Sequence, residues 1–347
     1  MEERFQDPSH ALLKEPMEPV NAYQHKRESQ TLEELAQIEG DELAIGMEGL
    51  IIRERILGKD NVELLDPIQE LAESYCNREN GFDIGIGLYY HAMDISQHCN
   101  QSIDQSILHG LEQIILSLIP EMVQNSIYPR HKGLLKVLEL VFLDYDKKAP
   151  TGKSLLNCML YLLQFFAKDE LCGELSEEDN SSLSVLLVKL VCLNPRYDDG
   201  NTLLHLAAAG YHPQAWRMST DPTLTPFGFP CIKTVKLLLN AGFNINATNN
   251  SEDTPLHRAA TFNPHWRKYH LITDMLKVLI DAGAHHDFVN NGGLTAMDVS
   301  INVRARNFLS HIKTLELKCI TARAIKKFGL PYLGVVPQTL EKFISMH

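Results

Sequence analysis

Few residues in this chain have the types and spacing that chemistry requires. His285-His286-Asp287 and the pair His98-Cys99 offer metal-ligand atoms. A protein-bound metal needs three or four donors, and neither set has partners at ligand spacing, so both read as solvated loop residues. Gly81-x-x-x-Gly85-x-Gly87 has the glycines of a phosphate loop but no strand ahead of it. The sequence contains no G-x-S-x-G nucleophile elbow, no H-E-x-x-H zinc helix and no P-loop. The expectation is a non-enzyme with no cofactor and no metal centre.

Charge and composition narrow the partners. A formal net charge of -12 repels phosphate backbones on average, and the basic clusters are short, such as Lys326-Lys327 or Arg53 with Arg55, so nucleic acid is not an expected partner. No apolar run approaches the roughly 20 residues that cross a bilayer, and Met1 to Glu18 lacks the order of a signal peptide. A membrane partner is therefore not expected either. The seven cysteines, Cys76, Cys99, Cys158, Cys172, Cys192, Cys231 and Cys319, are an odd, scattered set without a C-x-x-C pair. Such usage fits a reduced compartment, cytoplasmic with the nucleus as a second possibility, with most thiols acting as small buried hydrophobes.

The elements that position these residues are helical. The expected fold class is all-α, a helical repeat array of tetratricopeptide-like helices, a helical connector, C-terminal ankyrin repeats and a terminal helical box. Residues 1–29 show no sustained period and are expected to be irregular. The tetratricopeptide-like part spans 30–100. Thr31 with Glu34 matches a capping box, and Leu50 to Gly58 resembles Leu88 to Ile95, with Leu71 to Tyr75 and the helix stop Asn80-Gly81 between them. Residues 101–197 alternate apolar helical stretches (Ile107 to Ile127, Leu134 to Leu143, Leu155 to Phe166, Leu183 to Leu193) with polar breaks, a stacked connector. Tyr161, Leu162, Leu163, Phe165 and Phe166 read as its core rather than a ligand pocket.

The most specific repeat occupies 198–310. Asn201-Thr202-Leu203-Leu204-His205-Leu206-Ala207-Ala208 leads to Val235 through Asn246; Thr254-Pro255-Leu256-His257-Arg258-Ala259-Ala260 leads to Met275 through Ala284; and Gly293-Leu294-Thr295-Ala296-Met297-Asp298 begins a third unit. These are ankyrin repeats. Threonine starts each first helix, paired alanines let two helices approach, and Gly242 and Gly283 close the second helices in a left-handed conformation. His205 and His257 are expected to bridge neighbouring loops by hydrogen bonds rather than to bind metal. Insertions at Tyr211 to Pro230 and Asn263 to His270 lengthen the pattern. Their Trp216, Phe227, Phe229, Trp266, Arg267 and Tyr269 are of the types that dominate binding hot spots, and equally suit loops tucked onto the array.

The tail, 311–347, reads as two helices. Thr314 to Ile325 is followed by a stop at Gly329 and Pro331, and Leu315, Cys319 and Ala322 share one face. Pro337 opens the second, with Leu340, Phe343 and Ile344 along one side. A helix with one apolar face either packs on its own core or lies in a partner's groove. Burial of Leu315 and Cys319 against the last repeat would favour the first, and outward exposure the second.

The tail resembles a von Hippel-Lindau box, with an Elongin-C-docking segment at Leu315, Cys319 and Ala322 and a cullin-selecting segment at Val336, Pro337 and Leu340. With LIIRERILG at Leu50 to Gly58, the Phe229-Pro230-Cys231 approach to Val235 and the Thr254-Pro255-Leu256-His257 repeat, the chain from Thr31 onward is similar to the feminization (Fem-one) homolog family of ubiquitin-ligase substrate receptors. The resemblance implies a non-catalytic adaptor that joins Elongin B and Elongin C and a cullin, usually the second, with a RING subunit in protein ubiquitination. The family normally opens with a long ankyrin block that reads substrate degrons, and this sequence starts after it, so no degron-reading residue is mapped. A repeat scaffold with no ligase link, or a competitor of full receptors, are the alternative readings.

Overall fold

The computed structural model describes residues 18–347 apart from 79, 101–102, 125–130, 148–152, 169–174, 210–228, 263–268 and 313–316. The described residues form fifteen α-helices and no β-strand, with two isolated bridges, Arg196 to Thr202 and Val289 to Thr295. The protein is an all-α helical repeat array, as its hydrophobic periods require. It divides into two compact units, Met1–Leu186 and Leu187–His347.

The first unit contains a 3-10 turn at Asn21–Tyr23, then α1 (Leu32–Ala36), α2 (Glu42–Leu57), α3 (Leu65–Cys76), α4 (Phe82–Asn100), α5 (Gln105–Gln124), α6 (His131–Lys147) and α7 (Lys153–Phe166). Helix α1 starts on the capping box expected for it. Thr31 Oγ1 accepts from Glu34 N at 3.2 Å, and the Glu34 carboxylate accepts from Thr31 N at 3.3 Å. Helices α3 and α4 pack as a hairpin whose connection includes Asn80 at φ +60. Gly85 sets how close they come: a Cβ there would lie 2.2 Å from Cys76 Sγ and 2.7 Å from the Ala72 carbonyl oxygen. In the connector, Tyr161, Leu162, Leu163, Phe165 and Phe166 are buried core, and the two phenylalanines meet edge to face at 5.3 Å.

No local signal announces the buried acid at the centre of this unit. Glu54 accepts from Tyr23 Oη at 2.5 Å and lies 3.0 Å from His91 Nε2. Burial alone would raise its pKa, but the bonds from His91 and Tyr23 outweigh it and hold the carboxyl below its ordinary value. Nearby, Glu28 pairs with Arg55. These contacts tie residues 20–30 to α2 and α4, so a stretch expected to be irregular is anchored by charge-assisted bonds.

Helix α8 (Glu177–Leu193) completes the connector's expected stretches. The second unit continues with α9 (Leu203–Ala209), α10 (Ile232–Ala241), α11 (Pro255–Thr261), α12 (Tyr269–Asp281), α13 (Val303–Ser310), α14 (Leu317–Lys327) and α15 (Gln338–Ser345). The pairs α9/α10 and α11/α12 are ankyrin hairpins. Gly242 and Gly283 end α10 and α12 at φ +103 and +96, where a side chain would be strained. The third start forms only a turn. Asp298 takes the place that histidine holds in the other repeats, accepting from Thr295 N at 2.9 Å and Thr295 Oγ1 at 2.6 Å, and these bonds lower its pKa.

Candidate functional site

The two repeat histidines are fully buried and do the bridging expected of them. His205 Nδ1 lies 3.2 Å from Thr202 N and 2.9 Å from Thr202 Oγ1, and its Nε2 lies 2.9 Å from the Asp253 carbonyl of the next loop. His257 repeats the arrangement with Thr254 at 3.2 Å and 2.8 Å and the Leu294 carbonyl at 3.1 Å. The geometry dictates the tautomer. A backbone N–H can only donate, so Nδ1 must accept and Nε2 must carry the proton that the carbonyl receives. Burial pushes the His205 pKa down to about 4 and lowers that of His257.

The hot-spot candidates fare unevenly. Trp216, Phe227, Trp266 and Arg267 lie outside the described residues, and Tyr269 opens α12. Phe229 is a correction: it is 3 % exposed and belongs to the core, not to a contact surface. The backbone explains why, since Cys231 N donates to the Ala207 carbonyl at 3.0 Å and draws this end of the insertion onto α9.

The tail brings a second correction. Cys319 and Ala322 are each 1 % exposed, whereas an Elongin-C-facing pair was expected to look outward; Leu315 lies outside the described residues. Helix α14 in fact carries two apolar sides. At 100° per residue Cys319 and Ala322 face inward, while Leu317 and Ile320 fall on the other side and are exposed, Leu317 by 79 %, and Phe328, just past the end of the helix, is exposed as well. Only packing could choose between the two. In the second segment Val336 is half-buried, Pro337 is the exposed N-cap of α15, and Leu340 is exposed.

What α14 packs against is a polar cluster that the sequence reading missed. Cys319 Sγ lies 3.2 Å from His285 Nδ1, His285 Nδ1 lies 3.9 Å from Asp287 Oδ1, and Asp287 Oδ2 lies 3.4 Å from His347 Nε2. The four donor atoms are all within 4.8 Å of one another. His285-His286-Asp287 is thus not a solvated loop: Asp287 is 2 % exposed and the His285 side chain 11 %. The reason is the tail, which folds back so that Val289 N donates to the Met346 carbonyl at 2.7 Å. Rings enclose the cluster. His285 stacks on Phe288 at 4.4 Å, and Phe343 and His347 meet at 4.4 Å. Burial lowers the pKa values of His286 and His347. By contrast His98 is an exposed residue of α4, 3.6 Å from Asp94; Gly81 precedes that helix, and Gly85 and Gly87 lie within it.

Residues 199–250 match the family described as Ankyrin repeat, and residues 227–280 match Ankyrin repeats (many copies). Among curated proteins, the chain is 29 % identical to Protein fem-1 homolog A of Homo sapiens, over 100 % of this chain and 51 % of the relative. It is 27 % identical to Protein fem-1 homolog A of Danio rerio, over 94 % and 52 %, and 28 % identical to Protein fem-1 homolog C of Danio rerio, over 100 % and 56 %. The chain spans about half the length of the curated relatives it matches. No helix among the described residues is long and apolar enough to cross a membrane. With that similarity running along the whole chain, and the threonine–histidine clamps and left-handed glycines of its repeats in place, the chain carries ankyrin repeats and is similar throughout to the fem-1 homolog proteins.

Proposed function

We propose that this chain is a non-catalytic adaptor or substrate-recognition subunit of a cullin-RING ubiquitin ligase. In this reading its tail takes Elongin C, with Elongin B, and a cullin of the second type with its RING subunit, while the repeats face a protein to be modified. The observation that carries it is the uncovered apolar side of the tail. Leu317 and Ile320 lie on the outer side of α14, and Phe328, Leu330, Leu333, Val335 and Leu340 follow, all exposed. Large apolar side chains at this density mark an interaction surface, and a helical stripe is the shape that lies in a partner's groove. Pro337 and Leu340 sit on α15, which packs on α14, and are the cullin-facing pair in this scheme. Cys319 and Ala322 then seat the helix rather than meet Elongin C.

A plain ankyrin scaffold with no ligase link is the second reading, favoured by the burial of Cys319. Purified Elongin B–Elongin C decides between them. The ligase reading expects the intact chain to capture the pair, and a Leu317→Ser, Ile320→Ser, Phe328→Ser variant to lose it with its circular dichroism unchanged. No capture by the intact chain leaves the scaffold. Capture that survives the triple substitution removes this surface from the scheme.

A further inference from the structure

We propose that His285, Asp287, Cys319 and His347 form a structural zinc site that clamps both tail helices onto the last ankyrin loop. The idea does not rest on the ligase reading. The four ligands come from three places: the loop after α12, the first turn of α14 and the second residue after α15. In a tetrahedral site with bonds of about 2.0–2.3 Å, neighbouring ligand atoms stand about 3.3–3.8 Å apart. Cys319 Sγ is 3.2 Å from His285 Nδ1, and the two Asp287 oxygens lie 3.9 Å from His285 Nδ1 (Oδ1) and 3.4 Å from His347 Nε2 (Oδ2); with one atom taken from each residue, no separation exceeds 4.8 Å. Closing onto an ion needs side-chain movements of no more than about 1 Å against those edges.

Two atoms of the cluster also ask for a ligand. Asp287 Oδ2 and His347 Nε2 are buried without a hydrogen bond, on side chains 2 % and 0 % exposed, their contacts being the long 3.4 Å approach to each other and that of Arg323 Nη2 to Asp287 Oδ2. Buried polar atoms left unbonded are costly and rare, and a cation between these two would satisfy both. His347 is already oriented for it. Its Nδ1 lies 2.8 Å from the Phe343 carbonyl, which accepts the proton there and leaves the Nε2 lone pair directed at Asp287, the outer-shell arrangement of metal-binding histidines. The rings of Phe288 and Phe343 shield the cluster from water.

The donor set selects the ion. One thiolate with two imidazoles favours zinc over magnesium or calcium, which prefer oxygen ligands. On binding, the Cys319 thiol gives its proton to solvent. Thiolate and carboxylate then balance the two positive charges of the ion, so the loaded cluster is neutral. Two cations of α14 act on the cluster: Lys326, whose Nζ donates to the Ser345 carbonyl at 3.0 Å, and Arg323, whose Nη2 is 3.4 Å from Asp287 Oδ2 and whose side chain, 43 % exposed, has room to turn toward water.

The test uses the full chain, tagged only at its N-terminus, stripped with chelator and titrated with zinc alone against a chromogenic competitor. One tight equivalent is expected, lost or weakened by at least about 100-fold in Cys319→Ser and separately in Asp287→Asn, a near-isosteric change. Cys192→Ser, at an exposed thiol, should leave binding unchanged. Cobalt in place of zinc should give the visible bands of a tetrahedral ion with a thiolate charge-transfer band. No uptake by the intact chain, uptake equal in Cys319→Ser and Asp287→Asn, or a cobalt spectrum without thiolate character would each overturn the site. If Cys319→Ser changes the far-ultraviolet circular dichroism, Asp287→Asn alone carries the comparison.

Discussion

Acid should unfold the ankyrin unit, and His205 should account for a defined share of the loss. In the folded protein Nδ1 accepts from Thr202 N, so adding a proton there sets two donors against each other inside the core. Burial first, with the charges of Arg196 and Arg258 adding to it, carries the His205 pKa from its ordinary 6.5 to about 4. The depressed value belongs to the native state, so above pH 6.5 both states are neutral and the group has little effect on stability. As pH falls below 6.5 the unfolded chain takes up the proton and the folded chain does not, so stability drops until the folded pKa is reached. From near pH 7 to near pH 4.5 the difference amounts to about 2 kcal/mol, or about 4–8 °C in melting temperature for a unit of this size. The assay is denaturant unfolding followed by far-ultraviolet circular dichroism. His205→Gln does not titrate. It should start about 1–3 kcal/mol less stable near pH 7 for its poorer hydrogen bonds, yet lose about 2 kcal/mol less than the parent on acidification. Equal acid losses in the two proteins would refute the clamp argument. His257 and the hydrogen-bonded carboxyl of Asp298 also destabilise the fold in acid, which is why the difference between proteins, not the absolute slope, is the measure.

Two further substitutions probe packing. Gly85→Ala drives a methyl into Cys76 Sγ and the Ala72 carbonyl and should destabilise the first unit by about 1–3 kcal/mol, seen as a lower urea midpoint in far-ultraviolet circular dichroism. Phe229→Ala should cost about 3–5 kcal/mol as a core cavity; a change under about 1 kcal/mol, with a partner's affinity altered instead, would restore Phe229 to the surface role first expected of it.

What could be read directly from the sequence was local. Thr31 with Glu34, Thr254 with His257, and Gly242 and Gly283 act within one helical turn, so residue type and spacing are enough to place caps, stops and repeats. The connector helices follow from period alone. Tertiary structure decided everything that depends on which side of an element meets another. Helix α14 has apolar residues on two sides, and only the fold-back of the tail determines that Cys319 and Ala322 go inward while Leu317, Ile320 and Phe328 stay out. The same fold-back brings His285 and Asp287 to Cys319 and His347, side chains far apart along the chain whose spacing matches no short motif. Tyr23, Glu54 and His91 likewise meet across three separate segments. Hydrogen bonds and donor clusters depend on distance in space, and a chain's local pattern determines that distance only within a helical turn or a tight loop.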